Sequence, residues 1–221
     1  MNRRDGLGNT PLHYAAMSPD GDVVRYLIDH GATVMTTNRA GATPLHYASA
    51  PAARVLVERG VDVNVVDSHG WTPLHVNRSP EVIDLLLDKG ADLQRKDSRG
   101  WTPLHSAASR LRPEAAVALV RRGADLYAKT EPGRAGKTPL DLTKRHPEVG
   151  EAMLKAAEER EARIAEHQAS ATGLTYVARQ KNLPEDLERH VLGPMLGLTP
   201  KKAGRKTRAR KTKRRLTRRR K

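Results

Sequence analysis

The chain has 221 residues, room for one extended domain or two small ones, and its formal net charge of +15 is unevenly placed. Residues 171–221 carry 17 Lys/Arg against 3 Asp/Glu, leaving 23 against 22 in residues 1–170. A neutral body therefore bears a cationic tail, of the kind that meets nucleic acid, an import receptor or another polyanion. The absence of cysteine excludes disulfides, thiolate metal sites and a cysteine nucleophile. No apolar signal-peptide core opens the sequence and no run nears the ~18 apolar residues of a membrane span, so a soluble intracellular protein without a membrane partner is expected.

Along the chain, "GNTPLH", "GATPLH", "GWTPLH", "GWTPLH" and "GKTPLD" place threonines at Thr10, Thr43, Thr72, Thr102 and Thr138, at intervals of 33, 29, 30 and 36 residues. A second landmark is the glycine closing each apolar run: Gly31, Gly60, Gly90 and Gly123. Four residues before it stand Leu27, Leu56, Leu86 and Leu119, and three before it Ile28, Val57, Leu87 and Val120. Each unit predicts helix–turn–helix and then a loop. Thr-Pro suits a helix start, because proline at the first helical position lacks an N–H that would go unpaired there. The closing glycine supplies a left-handed C-cap. Small residues in "HYAA", "HYAS" and "HSAA" let units approach closely, and since one unit cannot bury its apolar face alone, stacking makes the core.

The pattern resembles the ankyrin repeat family over roughly residues 5–160. Thr-Pro-Leu-His stands intact at Thr10–His13, Thr43–His46, Thr72–His75 and Thr102–His105, and Gly-Ala-Asp at Gly90–Asp92 and Gly123–Asp125. Two departures carry expectations. Units two and three are short between the His and the next helix, so their first helices should be clipped. Unit five has Asp141 where the His belongs, as a terminal capping unit would. Beyond it a long helix should start at Pro147, with Val149, Met153 and Leu154 packed on the array, a Glu159–Arg163 pair on its polar surface, and a solvated end.

Little in the sequence suggests chemistry. "PGRAGKTPL" imitates a phosphate loop, but that loop needs a glycine where Glu131 stands, and Thr138 is already the repeat threonine. His13, His46, His75 and His105 recur one per unit, along a line instead of around a point, which does not suit a metal. The resemblance implies that they tie loops together by hydrogen bonds. No nucleophile–base pair is visible, so neither an enzyme nor a cofactor is expected. By resemblance the array is a protein-binding, monomeric module whose surface comprises Arg39, Ser68, His69, Trp71, Ser98, Arg99 and Trp101 at the loop tips, with Ser109 and Arg110 on the fourth unit's first helix. Alternatively, each Trp merely covers its neighbour's loop.

"NLPEDLERHVLGPMLGL" (Asn182–Leu198) starts a helix at Pro184, with Leu183, Leu187, Val191 and Met195 on one face. Leu183, Pro184, Leu187, Val191 and Met195 are similar to the start of an F-box. Truncated F-box-like (PRANC-type) segments close many ankyrin proteins of large DNA viruses, where they recruit a cullin-type ubiquitin ligase through a Skp-type adaptor. The other reading is that the segment caps the array, and Gly193-Pro194, which ends the helix early, favours it. The tail holds 14 Lys/Arg in the 21 residues Lys201–Lys221 and no acid, a composition that predicts disorder. Lys201, Lys202 and the cluster Lys211, Lys213, Arg214, Arg215 resemble a bipartite nuclear localisation signal. The same charge would bind nucleic acid through phosphates, or simply solvate the chain end. The expected organisation is all-α: an array over 1–160 (four full units and a divergent fifth), a helical extension and linker over 161–181, the amphipathic segment over 182–198 and the basic tail over 199–221.

Overall fold

The computed structural model describes residues 2–130 and 136–180, with side chains as far as Ala169. The chain divides into two units, residues 1–163 and 164–221. Among the described residues every regular element is helical. Four repeats are helix pairs: α1 (Pro11–Met17) with α2 (Gly21–Asp29), a single 3₁₀ turn (Pro44–Tyr47) with α3 (Ala50–Glu58), α4 (Pro73–Val76) with α5 (Pro80–Asp88), and α6 (Pro103–Ser109) with α7 (Pro113–Arg121). The fifth pairs α8 (Pro139–Leu142) with the long α9 (Pro147–Gln180). First helices pack on first helices and second on second, giving two rows. The segment 182–198 and the tail lie outside the described residues.

Both landmarks of the sequence are hydrogen-bonded helix ends. Thr10, Thr43, Thr72, Thr102 and Thr138 are N-caps in extended backbone, each followed by proline at the first helical position. At the other end the glycine N–H donates to the carbonyl three residues back, and the next residue's N–H to the carbonyl five back: Gly90 to Leu87 and Ala91 to Leu86, with the same pair of bonds at Gly31, Gly60 and Gly123. The recurrent Leu and its neighbour are therefore the residues whose carbonyls the cap satisfies. Their side chains supply the core. Leu56, Leu86 and Leu119 are fully buried together with Leu12, Leu45, Leu74 and Leu104, and Ala16, Ala48, Ala107 and Ala108 let the rows close up.

Clipping of the first helices is seen in units two and three, at four residues against seven in units one and four. Carbonyls left free at the ends of first helices, full-length or clipped, are taken up by neighbouring units. Ser49, N-cap of α3, donates its N–H to the Ala16 carbonyl of unit one at 2.8 Å and its hydroxyl to that of Ser18 at 2.6 Å. The Val76 carbonyl at the end of α4 accepts from Arg112 Nη1 at 2.6 Å.

α9 continues unbroken from Pro147 to Gln180. Its start buries Val149, Met153 and Ala156. Leu154 is exposed, a correction to the expectation: positions 149, 153 and 156 share a face at helical spacing, whereas 154 turns away. Glu159 also departs from expectation, pairing with Arg121 of α7 at 3.1 Å. Residues 161–169 are exposed, as foreseen for a helix that begins buried and ends solvated.

The loops between units are fastened by a second register. Asp5, Asn38, Asp67 and Asp97 each accept, through Oδ1, the N–H groups two and four residues ahead, at 2.8–3.0 Å. Tips then bond to the preceding tip, Arg39 N–H to Leu7, Ser68 N–H to Ala40 and Ser98 N–H to His69. Gly70 lies at such a tip with φ +77°, where an added Cβ would meet the Ser98 nitrogen at 3.0 Å. Gly90 has φ +85° but open space around it. Gly90→Ala should therefore cost about 1–2 kcal/mol, the left-handed penalty alone, and Gly70→Ala roughly 3 kcal/mol, because backbone must also move. Urea unfolding of the two variants checks this; equal losses would remove the tip contact from the account.

Candidate functional site

The four repeat histidines are buried, and both ring nitrogens of each are engaged. Nδ1 of His13, His46, His75 and His105 accepts the N–H of its own N-cap threonine at 3.1–3.2 Å, with the threonine hydroxyl at 2.8–3.0 Å. Nε2 meets a carbonyl of the next unit: Ala42, Trp71 and Trp101 at 3.0 Å and Lys137 at 3.1 Å. A backbone N–H can only donate and a carbonyl can only accept. The pair thus requires the neutral imidazole with its proton on Nε2. These are the loop ties that the resemblance implies. Desolvation lowers the pKa of all four, outweighing the carbonyl contacts that favour the cation.

In unit five Asp141 keeps half of this arrangement. Its Oδ2 accepts from both the Thr138 N–H and hydroxyl at 2.9 Å, and a carboxylate has no proton to pass onward. The Thr138 backbone bond, then Lys144 and the Thr138 hydroxyl, hold the carboxyl far below the usual range. Lys137, in the glycine-rich stretch before it, has its carbonyl taken by His105 and Thr130 and its N–H by the Thr130 hydroxyl. Lys137 thus serves to tie the loop to unit four.

Trp71 and Trp101 occupy the position whose carbonyl receives the preceding histidine and whose N–H serves the loop aspartate. Elsewhere Asn9, Ala42 and Lys137 fill the same place, so the backbone bonds there do not demand an indole. What the indoles do is gather charge. The Trp71 ring stacks with His69 at 5.1 Å between centroids, and the Arg110 and Arg99 guanidinium carbons lie over it at 4.4 and 5.5 Å. Arg99 also lies over Trp101, at 4.4 Å. Trp71 Nε1 donates to Asp97 Oδ2 at 2.8 Å, so this Trp does cover its neighbour's loop while holding the arginines.

Asp97 is the hub. Oδ1 takes the Arg99 and Trp101 N–H groups, and Oδ2 takes the Trp71 indole and Arg99 Nε and Nη2 at 3.1 and 3.0 Å. Burial works against its charge, yet these donors keep its pKa below the ordinary value. Arg99 is paired with it, Arg110 lies within reach of its charge, and Arg110 in turn has Arg78 and Arg112 as charged neighbours. Burial, then the charges of Arg110 and Arg78, push Arg112 down to about 10, and burial, then Arg99 and Arg78, lower Arg110. Arg110 and Arg112 flank Leu111, a non-glycine residue at φ +53°. That residue closes α6 in the way the glycines close the second helices: Leu111 N–H bonds to Ala108 and Arg112 N–H to Ala107.

Of the surface read from the sequence, the structure brings together His69, Trp71, Arg99, Trp101 and Arg110. Arg39, Ser68 and Ser98 are exposed tip residues that join it only through the backbone ladder, and Ser109 is exposed beside Arg110. The sequence reading missed Asp97, Arg78 and Arg112. The recurring Asp/Asn five residues before the first four repeat threonines (Asp5, Asn38, Asp67, Asp97) was the available signal. A depression nearer the start is lined by Leu7, Met17, Arg39 and Tyr47, with Leu7 and Met17 well exposed. No helix among the described residues is long and apolar enough to cross a membrane.

Three overlapping segments, residues 1–67, 49–130 and 76–170, match the family model "Ankyrin repeats (3 copies)". Among curated proteins, a transient receptor potential cation channel subfamily A member 1 homolog of Caenorhabditis elegans is 49% identical over 49 residues, 22% of this chain and 4% of its own. The transcription factor MBP1 of Kluyveromyces lactis is 41% identical over 44 residues, 20% of this chain and 6% of its own. This chain thus spans a small part of either relative. The family's repeats are generally non-catalytic modules for protein–protein interaction. With the family model covering residues 1–170 and its Thr and Gly landmarks standing at the first-helix starts and second-helix ends, the chain belongs to the ankyrin-repeat family.

Proposed function

We propose that the array holds a protein target on its loop tips and first-helix face, from Arg39 through Ser68, His69, Trp71, Ser98, Arg99 and Trp101 to Ser109 and Arg110. The observation that carries this is the division of labour at the tips: backbone groups are consumed by the ladder, while the side chains of Arg39, Ser68 and Ser98 stand exposed. Such a surface, with its backbone committed and its side chains outward, suits recognition. The triple change Arg39→Glu, Ser68→Glu and Ser98→Glu leaves the ladder intact. It should abolish recovery of the wild type's bound proteins in affinity purification, with stability changed by less than about 1 kcal/mol. An unchanged set of bound proteins would sink the reading.

Residues 182–198 couple the held target to a Skp-type adaptor in this reading, and the sequence pattern Leu183, Pro184, Leu187, Val191, Met195 supports it. Leu187→Asp sets a carboxylate in that apolar face. Loss of the adaptor at constant melting temperature fits recruitment. A weakened array with no adaptor bound by the wild type fits a cap instead. The tail, as the second arm of the same series, carries the chain into the nucleus, and deleting Lys201–Lys221 should release a fluorescent fusion. The rival for the tail is direct polyanion binding, favoured by 14 cations in 21 residues. It would show as salt-sensitive nucleic-acid affinity lost in the deletion.

A further inference from the structure

The target-holding face carries a local charge imbalance that the fold does not require. In units three and four Arg78, Arg99, Arg110 and Arg112 face two carboxylates, Asp67 and Asp97, both buried within their own loops. Asp97 is already saturated by donors, and Asp67 Oδ1 by the His69 and Trp71 N–H groups. Arg110 has no carboxylate partner among the described residues. Its guanidinium is half-buried against Trp71, at 4.4 Å, and burial, then its like-charged neighbours, lower its pKa. α4 and α6 contribute no carboxylate, and their histidines are neutral and tied up. Cations that outnumber the carboxylates beside them in a half-buried setting are unfavourable by themselves and become favourable when an anion arrives.

From this juxtaposition we propose that Arg99 and Arg110, set on Trp71 and Trp101, together with Arg78, whose charge reaches Arg110, form a clamp for an anionic stretch of the partner protein. The stretch is an extended peptide segment bearing clustered carboxylates or a phosphorylated side chain. This rests on the reading that the array holds a protein. The indoles serve as platforms: Trp71 is engaged by Arg110, Arg99 and His69, and Trp101 by Arg99. They hold the guanidinium groups in position over a small area. That suits two or three charges on a peptide better than the base stacking and long backbone track of a single-stranded nucleic acid. The left-handed Leu111 fixes Arg110 and Arg112 on either side of one turn, and Arg112 is anchored on the Val76 carbonyl. Arg110 is thereby left as the free hand.

Trp71 and Trp101 are the two tryptophans of the chain, so intrinsic emission reads this face directly and not the tail. The full-length protein would be titrated with three peptides of one backbone: glutamate-rich, phosphoserine-bearing, and glutamine-substituted. Both anionic peptides, or one of them, should change the emission saturably while the glutamine peptide does not, and the stronger of the two identifies carboxylate or phosphate as the source. Arg78→Gln/Arg110→Gln removes two cations outside the core and leaves the tail intact. It should weaken the response at least tenfold at unchanged melting temperature. Equal responses from variant and wild type would overturn the clamp. So would an oligonucleotide of equal charge that acts at lower concentration than either peptide and depends on Arg78 and Arg110. If the tip triple variant loses its bound proteins while the arginine variant keeps them, the protein-holding reading stands and only the clamp fails.

Discussion

Replacing His75 by leucine should destabilise the array by about 3–5 kcal/mol, although leucine is apolar, of similar size and enters a site that is fully buried. The reason is accounting of polar groups. His75 accepts the Thr72 N–H on one side and donates to the Trp101 carbonyl on the other, so leucine orphans a donor in unit three and an acceptor in unit four. Each group left unpaired in the interior costs about 1–3 kcal/mol. Leu86→Ala, which only empties space, should fall in the range of about 2–5 kcal/mol for buried leucine. The two can be told apart by where the damage appears. Stability in a stacked array is a sum of unit and interface contributions. His75→Leu strikes the interface beneath Trp71 and Trp101, and their emission should shift at lower urea than the helical signal. A loss under 1 kcal/mol would mean that water or a rearranged loop serves these groups equally well.

How much of this was legible in the sequence depends on how local each device is. The threonine and glycine landmarks mark helix ends, and end chemistry is confined to about six residues. The period, the helix pairs and even the clipped first helices could therefore be read from spacing. Asp141 was legible for the same reason, as a change at one fixed register position. What escaped involves partners far apart in the chain. Arg110 meets Trp71 across 39 positions, and Arg112 meets Val76 across 36. Glu159 has an arginine four residues on, the pair that helical geometry permits, yet it reaches Arg121 on another helix. Asp97 was missed for a different reason: aspartate in a polar loop is common, and its role lies in which backbone N–H groups converge on it. Of the nine surface residues, His69, Arg99 and Arg110 gather on the indoles of Trp71 and Trp101, while Arg39, Ser68 and Ser98 stand apart at the tips.

Acid should weaken the array well before its carboxylates titrate. His13, His46, His75 and His105 all have folded-state pKa values below the ordinary 6.5, burial being the largest cause. Geometry demands the same thing, since Nδ1 faces an N–H that cannot accept and a proton there would oppose another proton. The sign follows from linkage. Between the lowered folded value and 6.5 the unfolded chain binds protons that the folded chain refuses, so stability rises with pH in that window. It is fully present above about 6.5, falls as pH drops through the window, and stops falling once the folded histidines also protonate. Each histidine that charges only on unfolding adds a slope of up to about 1.4 kcal/mol per pH unit, and four act together. Asp97 and Asp141, held below their ordinary values, add to the loss only below the carboxylate range, so two limbs should be separable. Urea midpoints measured from pH 8 down to about pH 2 test this. The curve should be flat above about 7 and steep below 6.5, and His75→Leu, though less stable throughout, should show a shallower upper limb. A midpoint independent of pH between 7 and 5 would show that these rings accept a second proton in the folded state, contrary to the bonds that join one repeat to the next.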